Sequence, residues 1–561
     1  MRPSPTHLIA CLTALAVSAI AQPSQQRLTA EKLFDPTHVM DVRIELPKAD
    51  WDELRQQGRA FASALGKTPP ERPYSYYKGT VIIDGVRVEN VGIRKKGFIG
   101  SLDETRPSLK VKFAEYVDQS PIDGLDRLTL NNNKQDRSQS SQFLSYRMYT
   151  ACGVHAPRCG FAKVTVNGHN LGIYSHVESI KAPFLKRRFG DDSGHLIEGT
   201  VADFYVDRLG KFEPKTPTSK TAILADLAKV LAEDEVDMKA LAKLVDIDAF
   251  TRFWATESLI CFWDGYNLNQ NNFYVYRSPK NRKLYFIPWG TDCAFEGAMP
   301  LPPYRIKPKS VHGNALLSHR LFANATARAN YKKTFEGLLA KQFNEKKLLA
   351  ELDRIEALLE DSLHESQDDF HKHLAKLRRF IKGRRDGLEG ELADWPVKLK
   401  AQPRQPIYFK KIGTAAGSFS TTWREKAPSD PLTNGKTDLK LTVDGEVVAF
   451  KQIGVSAERS TWPRPGERGP KPPNLVFTGT RKSDGKIVVV AFGCPIRHFH
   501  PTEGKPTKAE GIMFVGRMGF LNFKAMRMLS GTIHFAAAGF KPDAPVSGTF
   551  KLTIVKMVGS W

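Results

Sequence analysis

Two short stretches in the middle of the chain are the most informative: FWDGYNLNQNNFY at residues 262–274 and IPWGTD at residues 287–292. In the first, an aspartate precedes a dense run of side-chain amides and then a strand-like segment. In the second, an apolar strand ends in a glycine and another aspartate. Phosphoryl transfer needs a loop aspartate that orients the acceptor, and an asparagine and a second aspartate that hold Mg²⁺. The alternative is turn formation, because Asp, Asn and Gly also favour loops for local reasons.

The segments around these stretches alternate between helix and strand patterns. A helix is predicted up to about Trp263, and strands at 272–276 and 283–287 are expected to pair. Further upstream, Asp84-Gly85 and Asn167-Gly168 each separate two runs of alternating apolar residues. This is the pattern of a β-hairpin with a two-residue turn. The mixture predicts an α+β fold.

The pattern changes near residues 402–406, where the sequence reads QPRQP. Beyond this point apolar residues alternate with polar ones in most segments, as in Leu439, Leu441 and Val443. We therefore expect a β-rich accessory domain over residues 405–561, either a sandwich or a barrel.

The composition indicates which partners to expect and whether the chain crosses a membrane. Lys and Arg together number 83 against 60 Asp and Glu, a formal net charge of +23, which favours acidic partners. The basic stretch between Lys372 and Arg385 lacks interleaved aromatics, so we interpret it as a solvated helix face and expect no specific nucleic acid partner. No run of 18 apolar residues occurs, and no transmembrane segment is expected.

The N-terminus has the features of an export signal. Arg2 precedes a short apolar run, and Ala19-Ile20-Ala21 matches a small-residue cleavage site. The sequence thus predicts a signal peptide over residues 1–21, a mature chain that starts at Gln22, and a linker over 22–34. We expect the protein to be secreted, periplasmic or on the cell surface.

Several motifs in chain order resemble the spore coat protein H (CotH) kinase family, whose members are exported or surface proteins. They are VGIRKKG at 91–97, SLKVKF at 108–113, VTVNG at 164–168, GIY at 172–174, Glu178, Asp264, NFY at 272–274 and IPWGTD at 287–292. The resemblance implies an atypical protein-kinase-like fold, which we place at residues 35–400. It also implies ATP and Mg²⁺ as cofactors.

The resemblance assigns a role to each of these positions. Asp264 would be the catalytic aspartate and Asp292 the Mg²⁺ ligand. Asn272 would be the asparagine on the metal side, with Asn269 as its rival because Asn269 has the spacing of ordinary kinases. The phosphate-binding candidates are Arg94, Lys96, Lys110 and Lys112, for which a solvated basic strand face is the alternative. Glu178 would pair with one of these lysines, the alternative being a surface residue.

One position departs from the family pattern. The family usually has Pro-Trp-Asp-x-Asp, and this chain has Gly290 at the first aspartate. Two functions follow as expectations. The first is an exported atypical kinase that transfers the γ-phosphoryl of ATP to Ser or Thr of a secreted or surface protein. The second is a non-catalytic surface or coat protein that keeps the fold as a scaffold. The sequence leaves the oligomeric state and the protein substrate open.

The same site yields a prediction about two cysteines. If Asp264 and Asp292 converge on one metal, Cys261 and Cys293 are carried within disulfide reach, which requires Cα atoms within about 7 Å.

Overall fold

The computed structural model describes residues 28–59, 65–69, 73–98, 101–296, 309–460, 471–504, 506–516 and 526–559. The predicted signal peptide and the start at Gln22 lie outside these residues. The helices of the described residues are α1 Ala30–Leu33, α2 Lys48–Gln56, α3 Ser141–Ala151, α4 Ala182–Phe189, α5 Ala225–Ala232, α6 Met238–Leu244, α7 Ile247–Leu259, α8 Tyr266–Asn269, α9 Leu316–Ala323, α10 Ala325–Lys341, α11 Glu345–Leu359 and α12 Phe370–Ala393.

The strands fall into an N-terminal and a C-terminal group. The first group is β1 Leu28–Thr29, β2 Val39–Glu45, β3 Tyr77–Ile83, β4 Val86–Lys96, β5 Ser108–Lys112, β6 Ile122–Asp123, β7 Arg127–Asn131, β8 Cys159–Val166, β9 His169–Val177, β10 His195–Gly199, β11 Glu213–Pro214, β12 Phe273–Arg277 and β13 Leu284–Pro288. The second group is β14 Tyr408–Arg424, β15 Lys436–Thr437, β16 Lys440–Val443, β17 Glu446–Val447, β18 Phe450–Arg459, β19 Pro473–Arg481, β20 Ile487–Gly493, β21 Thr507–Gly516, β22 Arg527–Ala537 and β23 Pro545–Val558.

Strands β2, β3, β4, β5, β7, β9 and β8 close into a barrel in that order. Both predicted hairpins are confirmed: Asp84-Gly85 joins β3 to β4, and Asn167-Gly168 joins β8 to β9. All four turn residues have positive φ, between 48° and 85°, as a turn that matches the twist of the strands requires. Alternate side chains such as Val81, Ile93 and Val111 fill the barrel and are fully buried.

The opposite face of β4 and β5 carries the basic residues. Arg94 lies directly opposite Lys110 in the antiparallel register, and Gly92 lies opposite Lys112. Because side chains on a strand alternate between faces, Arg94, Lys96, Lys110 and Lys112 share the outer surface of the barrel. This face is the first wall of the candidate site.

A smaller antiparallel sheet, ordered β11-β10-β12-β13, provides the second wall. The predicted pairing of 272–276 with 283–287 is confirmed, with Phe273 opposite Pro288 and Tyr276 opposite Tyr285. Helices α7, α9, α10, α11 and α12 surround this sheet with a large apolar core in which Trp254 and Tyr331 are fully buried. The α+β character predicted from the sequence is therefore present.

The C-terminal group of strands confirms the β-rich region. Ten strands of the described residues form one sheet, and the pairing of β14 with β23 links its last strand back to an earlier one. An aromatic core of Trp423, Phe477 and Phe550 lies within it. The choice between a sandwich and a barrel remains a prediction.

Part of the segment predicted as a linker is packed against the fold. Leu28–Thr29 pairs in parallel with Ile122–Asp123, and Leu28, Ala30 and Leu33 are buried in the barrel core, so residues 28–33 do not belong to a linker. The apolar side chains that the linker prediction passed over are the reason. Separately, no helix in the described part of the chain has the length and hydropathy needed to span a membrane.

Candidate functional site

The carboxylate of Asp264 lies within a cage of asparagine amides. Helix α7 ends at Leu259, and the chain then passes through residues 264–272, which include the short helix α8 and which we call the asparagine loop. Asn269 and Asn271 donate to Asp264 Oδ1 at 2.5 and 3.1 Å, and Asn272 donates to Oδ2 at 2.7 Å. Burial raises the pKa of Asp264, and the three amide hydrogen bonds oppose that rise. The loop thus presents one carboxylate in a fixed orientation.

The asparagine loop rests on a buried glutamate that the sequence did not reveal. The backbone and side-chain amides of Asn267 both donate to Oε2 of Glu257 on α7. Burial raises the pKa of Glu257 to about 8. A side chain at Gly265 would overlap Glu257 Oε1, so only glycine fits there. Glu257 was hidden because it occupies one of many polar positions in a helical pattern.

Asp292 approaches Asp264 from the end of β13. It lies in a single 3₁₀ turn, Thr291–Cys293. Burial, together with the charges of Asp264 and Asp136, raises the pKa of Asp292 to about 7, while Lys96 acts in the opposite direction. The effect of one charge on another falls off with distance, so these groups lie in the same region of the structure. The structure therefore brings Asp264, Asp292 and Lys96 together.

Gly290 lies between the two stretches and touches Asn272. Its φ is 54° and its ψ 50°, the left-handed region that glycine adopts without strain. A Cβ at this position would lie 3.0 Å from Oδ1 of Asn272. The backbone N–H of Trp289 also donates to the carbonyl oxygen of Asn272 at 3.0 Å. The Asn272 amide oxygen is thus aimed at the position where the family pattern has its first aspartate.

Two of the four basic candidates, Lys96 and Lys110, have lowered pKa values. Lys96 donates to Asn131 Oδ1, and burial lowers its pKa to about 8. Burial and the charges of Arg94 and Lys96 lower the pKa of Lys110 well below its usual value. Each of these two lysines is repelled by neighbouring positive charges, and the negative charges around them do not balance that repulsion. An anion at this face would relieve that repulsion.

The other two basic candidates have partners of their own. The Arg94 guanidinium lies 5.3 Å from the centre of the Tyr76 ring, a cation–π contact. Lys112 pairs with Glu115 at 2.7 Å. Arg94 still raises the positive potential at Lys96 and Lys110, whereas Lys112 has its charge neutralised locally.

The predicted partnership of Glu178 with a strand lysine is wrong. Glu178 is buried at the end of β9, where it accepts hydrogen bonds from both Arg158 and Arg187. The charge of Glu198 on β10 instead raises the pKa of both Lys96 and Lys110, and Asp292 raises that of Lys96 as well, although the ion pair of Glu198 is with Lys215. In the sequence, Glu198 stands out only as a charged residue within the short apolar strand HLIEG. Such a position is weak evidence for a functional role.

A third aspartate near the site also escaped notice as a functional candidate. Asp136 accepts a hydrogen bond from the backbone N–H of Gln142, in the first turn of α3, at 3.1 Å. Burial raises its pKa. Asp136 also raises the pKa of Asp292, so this carboxylate lies close to the site.

The cysteines beside the site are not bonded to each other. Cys261 and Cys293 are both free and buried. Cys261 Sγ donates to the Glu296 carbonyl at 3.2 Å, whereas Cys293 Sγ accepts from Gln135 Nε2 at 3.5 Å. Their predicted approach within disulfide reach remains a prediction.

Fold and site together define a mixed α/β protein in which a basic barrel face meets two aspartates and an amide-rich loop. The family model described as CotH kinase protein matches residues 93–388, more than half of the chain. The chain belongs to the CotH kinase protein family, which confirms the resemblance found in the motifs.

Curated relatives share the same region. Inner spore coat protein H of Bacillus subtilis is 25% identical over 292 residues, which cover 48% of this chain and 79% of the relative. The invasins CotH2 and CotH3 of Rhizopus delemar are 24% and 25% identical over 243 residues, or 38% of this chain. The chain spans only 41% and 40% of the length of these two invasins.

A crystal structure of the Helicobacter pylori proinflammatory kinase CtkA aligns with 56% of this chain and 93% of its own. The sequence identity is 8% and the TM-score 0.21, a likeness too low to carry any argument here.

Proposed function

We propose that this protein is an exported kinase that transfers the γ-phosphoryl group of ATP to Ser or Thr of a secreted or surface protein. The observation that carries the proposal is that the caged Asp264, Asp292 and the half-buried Lys96 are electrostatically linked: the charge of Asp264 raises the pKa of Asp292, and that of Lys96 lowers it. Phosphoryl transfer depends almost entirely on positioning and charge neutralisation, and these groups supply both. Export rests on the predicted signal peptide and on relatives that are named as coat and invasin proteins.

The donor set fits Mg²⁺. In the described part of the chain, no three or more His, Cys, Asp or Glu side chains are grouped to hold a metal. Mg²⁺ does not require such a cage, because it usually binds one or two carboxylates, waters and substrate phosphates. Asp292 would provide the carboxylate and Asn272 the amide oxygen that faces Gly290. When bound, the metal neutralises charge on the phosphates.

Asn269 fits the metal role less well than Asn272. Its Nδ2 donates to Asp264, and its Oδ1 accepts from Arg404 at 2.8 Å. Both ends of the Asn269 amide are therefore engaged. Asn272 directs its nitrogen to Asp264 and keeps its oxygen toward the Gly290 side.

Asp264 would orient the acceptor hydroxyl and hold its proton. The amide cage fixes the direction of the carboxylate, so a Ser or Thr hydroxyl would meet the same lone pair in each cycle. Lys96 and Lys110 would bind phosphate oxygens, since an anion would stabilise the charged lysines, whose pKa values are lowered first by burial and then by neighbouring positive charges. Glu198 would add negative charge near these lysines while it pairs with Lys215.

Gly290 favours a second candidate function, a non-catalytic scaffold. An aspartate at this position would add a second carboxylate next to Asn272, and glycine supplies none. A scaffold would keep the fold and the buried hydrogen bonds of the asparagine loop but bind nucleotide weakly or not at all.

The test is transfer of labelled γ-phosphate from ATP to the protein itself or to a generic Ser/Thr substrate. Wild type should transfer label in the presence of Mg²⁺. Asp264→Asn should bind ATP but not transfer it, and Lys96→Met should weaken ATP binding. Lys163→Met is the matched control, because Lys163 lies on the barrel strand β8 and pairs in register with Asp41, away from the site lysines. Absence of transfer by wild type, together with absence of ATP binding, would support the scaffold instead.

A further inference from the structure

Arg404 lies in the QPRQP segment, which the sequence predicted to be a domain boundary, and beyond the residues that match the family model. The structure buries it: only 7% of the residue is exposed. Its backbone N–H donates to the carbonyl of Asn314 at 2.7 Å. This segment is therefore packed against the kinase-family region, and a buried arginine requires specific partners.

Those partners belong to the asparagine loop. Nη1 of Arg404 donates to Asn269 Oδ1 at 2.8 Å and to the Leu268 carbonyl at 3.3 Å, and Nη2 donates to the Asn269 carbonyl at 3.3 Å. In the reverse direction, Gln270 Nε2 donates to the carbonyl of Arg404 at 2.5 Å. The guanidinium thus holds both the side chain and the backbone of the residue next to Asp264.

This contact fixes which way the Asn269 amide faces. An amide presents an acceptor oxygen on one side and donor hydrogens on the other. Because Arg404 can only donate, it binds the oxygen and turns the NH₂ group toward Asp264 Oδ1, where the hydrogen bond is 2.5 Å. The positive charge of Arg404 also lowers the pKa of Asp264, against the effect of burial.

The same segment is anchored to the C-terminal β-rich region. Ile407 and Phe409, three and five residues beyond Arg404, pack with Val555 of β23, with Val201 of the family-matched residues 93–388 and with Leu65, which precedes them. The position of Arg404 therefore depends on how the C-terminal strands dock.

We propose that Arg404 is a positioning residue for the transfer reaction: it orients Asn269, and through Asn269 it aligns the carboxylate of Asp264. The chain beyond the family region thereby completes the site. This inference rests on the proposed function for its effect on turnover, but the contact itself can be tested without turnover.

The kinetic test compares Arg404→Met and Arg404→Lys with wild type. Misplacing a group that supports a catalytic side chain costs about 10- to 100-fold in rate, so R404M should lower kcat by that factor and leave the ATP affinity unchanged. R404M should also move the acid limb of the kcat profile to higher pH, because Asp264 loses a nearby positive charge. R404K keeps the charge but not the fork of donors, so kcat should fall while the acid limb stays in place.

A matched control separates positioning from general stability. Arg320 is a half-buried arginine near this segment; it donates to the Leu231 carbonyl at 3.2 Å and does not contact Asn269 in the described hydrogen bonds. Arg320→Met should leave kcat and the acid limb unchanged. In an Asn269→Ala background, R404M should have little further effect on kcat, because coupled residues are not additive. Equal losses in R320M and R404M, or full additivity with Asn269→Ala, would overturn the inference.

A second readout needs no activity. Residues in direct contact have effects on stability that do not add. The losses in melting temperature from R404M and from Asn269→Ala should therefore not add in the double variant, because Arg404 donates to the side chain and the backbone of Asn269. If wild type transfers no phosphate, the proposed function fails, and this comparison still decides the inference. Full additivity of the two losses would overturn it. If R404M does not fold, R404K becomes the deciding variant. A wild-type kcat in R404K would then overturn the inference.

Discussion

Replacing Asp292 with asparagine should stabilise the folded protein and at the same time abolish its Mg²⁺-dependent ATP binding. The folded protein raises the pKa of Asp292 from its ordinary value of 3.8 to about 7. Since each pKa unit corresponds to about 1.4 kcal/mol, ionising Asp292 at high pH costs at most about 4 kcal/mol. The side chain is partly exposed and faces Lys96, so we expect about half of that, roughly 2 kcal/mol. Asn removes this cost because it carries no charge.

The sign of the pH dependence follows from the raised pKa. Between about pH 4 and pH 7 the folded protein holds a proton on Asp292 that the unfolded chain has released, so stability falls as pH rises through this window. The gain in D292N should therefore be small near pH 5, grow up to about pH 7 and then level off. At about 2–4 °C per kcal/mol, the plateau corresponds to about 4–8 °C in melting temperature.

The assay is thermal unfolding of wild type and D292N from pH 5 to 8.5, combined with ATP titrations in the presence and absence of Mg²⁺. D292N should lose Mg²⁺-dependent binding while its melting temperature rises. Asp248→Asn, at an exposed position on α7, is the matched control and should change neither quantity. A lower melting temperature for D292N at pH 8, or a gain independent of pH, would refute the account of Asp292.

Three further predictions concern positions around the site. Gly290→Asp should raise Mg²⁺ affinity, because the new carboxylate would lie next to Asn272. The left-handed backbone should lower the stability of this variant by about 1–2 kcal/mol. An unchanged Mg²⁺ affinity in calorimetry would count against a metal at this position. Gly265→Ala should prevent correct folding through its clash with Glu257, as seen in circular dichroism and expression, and a wild-type melting temperature would contradict the packing described. Glu178→Gln should cost about 3 kcal/mol of stability but leave ATP affinity unchanged, since it breaks a buried ion pair outside the site; weaker ATP binding would return this residue to the lysine-pairing role.

Much of the local structure could be predicted from the sequence. Asp84-Gly85 and Asn167-Gly168 specify their hairpins because only a few residue types tolerate the positive φ of such turns. The spacing of Asp264 and Asp292 relative to β12 and β13 was enough to expect their approach, because two paired strands bring their ends to the same edge of a sheet. These signals are local, and local signals survive in a single sequence.

The partners across the fold could not be predicted in the same way. Glu178 and Glu198 are both single charged residues beside apolar strands, and only the barrel closure and the second sheet decide which one faces the lysines. Arg404 lies in a segment that was predicted to be a domain boundary, yet it packs against the asparagine loop more than a hundred positions earlier in the chain. Long-range contacts of this kind leave no periodic signal.

Calorimetric titration of ATP into the purified wild-type protein, with and without millimolar Mg²⁺, tests the central claim most directly. The account predicts saturable binding that requires Mg²⁺, that is lost in D292N and that persists in Asp264→Asn. Binding that does not respond to Mg²⁺, or no binding by wild type at all, would contradict the assignment of Asp292, Asn272 and Lys96 to a nucleotide site and would favour a scaffold built on the same fold.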